Sequence, residues 1–160
     1  MATTKAKPPQ QLGSTGESAE YVSDISLRGI LCAAFLAGGA FIFFEYATHW
    51  MGADNPMGPT HFIPKVLNFE PGPQLVTYLA PILFIHFVIA TLVTVPLGWL
   101  IHRRSKSLAL PLGTSFGLSL YALTYFILNT EPMGVGQHVA VALVFAGYGT
   151  LTAWIYKVTQ

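Results

Sequence analysis

Charge is what this sequence has least of. Asp, Glu, Lys and Arg together make up 9% of the chain, against about 25% in an ordinary soluble domain. Eight basic and seven acidic side chains leave a net charge of +1. No excess of either sign asks for an oppositely charged partner, and no basic stripe suggests nucleic acid. Cysteine is nearly absent. Cys32 stands alone, which excludes an intrachain disulfide and any Cys/Cys metal or redox motif. No serine or cysteine lies at a motif spacing from a histidine, and no glycine-rich loop follows a strand to cradle phosphate. Charged, discontinuous helices of the kind that surround a transport site are missing too.

What the chain has in quantity is apolar surface. Hydrophobic residues make up 52% of it and its mean hydropathy is +0.53, in a length of 160 residues that suits one domain. Four runs reach the ~20 residues needed to cross a hydrocarbon core of about 30 Å. They cover 27–48, 78–100, 108–128 and 135–156. Backbone polar groups in lipid must be satisfied within the element, so the spacing predicts an all-α integral membrane protein: four transmembrane helices in an up-down bundle. Residues 1–26 are polar, with Pro8, Pro9 and paired glutamines, and read as a disordered cytoplasmic arm. They are too long and too mixed in charge for the basic region of a signal peptide. The membrane domain is 27–160.

Lysine and arginine set the orientation. With the N-terminus inside, Lys5, Lys7, Arg28, Arg103, Arg104, Lys106 and Lys157 are inside and only Lys65 is outside. The expectation is a cytoplasmic (inner) membrane protein with both termini cytoplasmic. Trp50, Trp99, Trp154, Tyr148 and Tyr156 fall toward span ends, where amphipathic rings favour the interface. The second, third and fourth spans are joined by short loops and are expected to be neighbours. The first outer loop, from His49 to about Thr77, is long and rich in proline. Within it Phe62, Ile63, Val66 and Leu67 have near-helical spacing and predict a short segment on the outer membrane face. Asn55-Pro56-Met57 is read as loop, outside any apolar half-helix, which argues against a channel.

Small residues at four-residue spacing let helices approach closely in lipid. Gly38 and Gly39 on the first span, Gly113 and Gly117 on the third, and Ala146 and Gly149 on the fourth are the expected packing positions. They serve the bundle itself, or a neighbouring subunit on the first or last span. Pro81 and Pro96 withdraw hydrogen bonds from the second span.

The candidate chemistry lies in the outer leaflet. At about 1.5 Å per helical residue, His86 is roughly 5 Å outward of the midplane, Tyr121 roughly 4 Å, Glu45 and Tyr125 roughly 9 to 10 Å, and His138 roughly 12 Å. Glu45 and His49 are four apart on one helix face. Glu45, His49 and His138, with Met51 or Met133, form a candidate metal set, since imidazole and carboxylate suit several transition metals. His86 is the candidate cofactor ligand, for a haem or another tetrapyrrole. A second axial ligand from His138 would sit at a different depth. Glu45, His86 and the tyrosines could also carry protons or serve a quinone. Against these stands a packing role, with His86 hydrogen-bonded to Tyr121 or to a carbonyl freed by proline.

The architecture of four spans, one long Pro-rich loop and a polar arm resembles small bacterial membrane proteins and also accessory subunits of respiratory or oxidase complexes. The expected function is a non-catalytic accessory or structural subunit of a larger, energy-converting membrane complex. The expected partners are the bilayer and other membrane subunits. No cofactor is required by the sequence. A small redox protein holding metal or haem, and a small oligomeric transporter acting as a homo-oligomer, are the alternatives.

Overall fold

The structure, a computed structural model, describes residues 25–50, 55–68, 75–128 and 132–160. Nearly all of the N-terminal arm, together with Met51, lies outside the described residues. Every regular element among the described residues is an α-helix: α1 (Leu27–Trp50), α2 (Pro59–Leu67), α3 (Leu75–Ile101), α4 (Lys106–Leu128) and α5 (Val135–Thr159). Four of them, all but α2, are long and apolar enough to cross a membrane. The chain is therefore a four-helix bundle of the membrane type.

Ser26 starts α1. Its Oγ accepts the Gly29 N–H at 3.0 Å and its carbonyl accepts the Ile30 N–H at 2.9 Å, which is how an N-cap relieves the first unpaired donors. Buried Ala33, Ala34, Ala37 and Gly38 then give α1 a side with almost no side-chain bulk. The opposed residues on α3 are Ile82, His86, Ala90, Thr94, Leu97 and Ile101, a buried row at helical spacing. Gly38 approaches His86, Phe87 and Ala90, whereas Gly39 beside it faces open space. Of this predicted pair, one glycine is a contact between spans.

The tightest contact joins α4 to α5. A Cβ on Gly117 would fall on the Phe145 carbonyl oxygen, with the Ala146 Cα at 3.2 Å, and one on Gly149 would fall on the Gly113 carbonyl. The Thr114 and Thr150 hydroxyls hydrogen-bond across the same seam at 2.7 Å.

Neighbourhood differs from the expectation drawn from loop length. α5 packs on α4 and on α1, but α3 packs chiefly on α1 and meets α4 and α5 lightly. A short turn obliges two helices to be close only at that turn. The bulk-free side of α1 then takes α3 along its length, which leaves a cleft between α3 and α4.

One ring also changes place. Tyr156, expected at the interface, is fully buried against Gly29 and Gly98, its hydroxyl 3.0 Å from His102 Nδ1. His102 is thereby tied to α5, and Lys157 Nζ donates to its carbonyl at 3.0 Å. Trp50, Trp99 and Trp154 are exposed, as an aromatic belt requires.

Candidate functional site

The bundle end that holds the finish of α1 and the start of α3 is closed by the segment leading into α2. Asn55-Pro56-Met57 is a loop, as the sequence reading has it, but a buried one: Asn55 is 3% exposed and Met57 is fully buried. Met57 packs with Phe41 of α1 and with Val141 and Phe145 of α5. A thioether has no polar obligation to water, so it fills the gap that the spans leave at this end. Ile63 buries the inner side of α2, while Lys65, Val66 and Leu67 stay exposed. The predicted surface helix is thus seated at its start and free along its outer side.

Glu45 holds that start in place. Its carboxylate is 2% exposed. It accepts the Thr60 N–H at 3.2 Å, the Thr60 hydroxyl, and shares a hydrogen bond with His61 Nδ1 at 3.1 Å. The N-cap of α2 is Gly58, which has no side chain to offer the first helical donors. A Cβ there would collide with Glu45. The capping acceptor therefore comes from α1, and its charge faces the positive end of the α2 dipole. Tyr78 adds a hydrogen bond from α3, its hydroxyl donating to the Thr60 carbonyl at 3.0 Å. Sequence reasoning missed Thr60 and His61. The signal was Gly58-Pro59, a cap followed by proline at the first helical position.

His86 is 6% exposed, and its Nε2 lies 3.0 Å from the Gly38 carbonyl. Neither expected partner is used. Pro81 releases the carbonyl four residues back, at Thr77, more than two turns from His86. Tyr121 instead bonds His138 Nδ1, with the Tyr125 ring 5.1 Å from the His138 ring. His86 stacks near Phe41, centroids 6.2 Å apart, and borders a cavity of about 90 Å³ with Met57, Phe62, Phe145 and Thr124.

The proposed ligand set is not gathered. Glu45 is engaged with α2, His138 with α4, and His49 lies at the exposed end of α1. Among the described residues no three His, Cys, Asp or Glu side chains cluster as a metal would need. The helix estimate put these groups at similar depth, but depth does not fix which way each side chain turns.

The fold defines a multi-pass protein with apolar helices suited to lipid. No known protein family, curated protein or solved structure matches the chain.

Proposed function

We propose that the chain is a non-catalytic subunit of a larger membrane assembly, seated through a groove between α1 and α5. The observation that carries this is small residues turned outward. The groove, about 260 Å³, is bordered by Ala40 and Phe44 of α1 and by Val144 and Gly147 of α5. Gly147, like Gly39, meets nothing within 4 Å. A missing side chain gives no advantage toward lipid, whereas it lets a partner helix approach closely.

The polar groups at membrane depth favour the non-catalytic part. Glu45 serves the α2 start, His86 a carbonyl of α1, and Tyr121 pairs with His138. They hold helices together and do not converge on one reacting atom. Arg28, Arg103, Arg104, Lys106 and Lys157 belong to the bundle end that holds the start of α1 and the end of α5. That bias supports a cytoplasmic-membrane location with this end inside. An energy-converting partner complex rests on the architecture alone.

The test is purification in mild detergent, with protein mass spectrometry and metal and haem analysis of one native band. The expected result is co-migration with larger subunits, lost in Gly147→Leu, whose Cβ meets nothing within 4 Å in this chain. A small band carrying metal or haem would replace this reading with a redox one. A bare homo-oligomer would favour transport.

A further inference from the structure

The cavity beside His86 has a polar feature that packing does not use. A carbonyl oxygen can only accept, so the Nε2 that meets Gly38 carries the hydrogen. In the neutral ring this leaves Nδ1 as an acceptor. Nδ1 makes no hydrogen bond with a described residue. Among those residues the sealed side-chain polar atom without a partner is Asn55 Nδ2. Nδ1 is therefore open, and His86 borders this cavity.

Its size and walls restrict what can enter. At about 90 Å³ it is smaller than the ~150 Å³ cavity that encloses a benzene molecule. It takes one edge of a ring, with the remainder of the ligand outside. The mouth lies between α3 and α4, bordered by Ile89 and Val93 on one side and Leu120 and Thr124 on the other. Ile89 is exposed on α3, a helix long and apolar enough to cross a membrane, so entry is from the lipid side. Phe41, Phe62 and Phe145 offer aromatic surface to a flat ring.

We infer that this cleft binds a lipid-soluble phenol or quinol. The ring hydroxyl donates to His86 Nδ1 and the tail leaves between α3 and α4. The site is separate from the α1–α5 groove and does not depend on a partner subunit there.

The test uses the full chain in lipid nanodiscs, with ¹⁵N-labelled histidine and 4-heptylphenol as the probe. The phenol should move the His86 Nδ1 resonance saturably. Heptylbenzene, which has the same body without the donor, should bind about tenfold more weakly. Thr124→Trp fills the mouth and should abolish the shift, whereas His86→Phe removes the acceptor and should bring phenol binding down to that of heptylbenzene. Equal binding of phenol and hydrocarbon would overturn the proposal, because the cleft would then hold only apolar chains. An unmoved His86 resonance at saturating phenol would overturn it as well.

Discussion

The rings of Phe41 and Tyr148 meet edge to face with centroids 5.4 Å apart. Both residues border the α1–α5 groove and the His86 cavity. One aromatic contact is thus the wall between two spaces reached from different sides of the bundle. Gly147→Leu and Thr124→Trp act on opposite sides of that wall, so their effects should be independent.

The α4–α5 seam should be intolerant of a single methyl group. Gly149→Ala and Gly117→Ala each set a Cβ against a backbone carbonyl, which has no rotamer to move aside. A loss of about 1 to 3 kcal/mol is expected for each. Gly136→Ala meets open space and should gain up to about 1 kcal/mol by restricting the unfolded chain. Thermal unfolding in detergent distinguishes them; equal effects at all three sites would contradict the seam.

Removing Glu45 should release the start of α2. Glu45→Ala leaves the part-buried Thr60 N–H without its acceptor, a cost of about 1 to 3 kcal/mol. Hydrogen exchange at Thr60 and His61 should accelerate, with α4 and α5 unaffected. Glu45→Gln keeps a carbonyl oxygen for Thr60 and should lie between the two. Unchanged exchange in the alanine variant would show that α2 is held by packing alone.

Met57→Ala should behave as a core mutation although it lies between two spans. Full burial predicts a loss of about 2 to 5 kcal/mol. The exposed Val66→Ala in the same connection should stay within about 0.5 kcal/mol. A pair of similar small effects would place Met57 at the surface.

Glu45→Gln and His86→Phe should be additive within about 0.5 kcal/mol, because the two side chains share no hydrogen-bond partner. A larger interaction term, measured by a double-mutant cycle, would reveal coupling through Met57 or Phe41.

The spans were legible because hydrocarbon thickness imposes a length on any helix that crosses it. Their seams were partly legible. Gly113 and Gly117 repeat at a period that already names a face of α4, but Gly38 and Gly39 are adjacent and only the fold separates them. The candidate site was the least legible part. Glu45 finds Thr60 and His61, fifteen and sixteen residues on, across a connection whose path no periodicity encodes. His86 finds a backbone carbonyl, which every residue possesses and no motif marks.

The order of synthesis is written into the position of Met57. Its partner Phe41 emerges before it, but Val141 and Phe145 belong to the last helix. The stretch connecting the first two spans therefore completes its burial only once α5 is in place. A chain stopped before α5 would leave this end of the bundle unsealed. For this protein, inserting α5 and closing that end are one event.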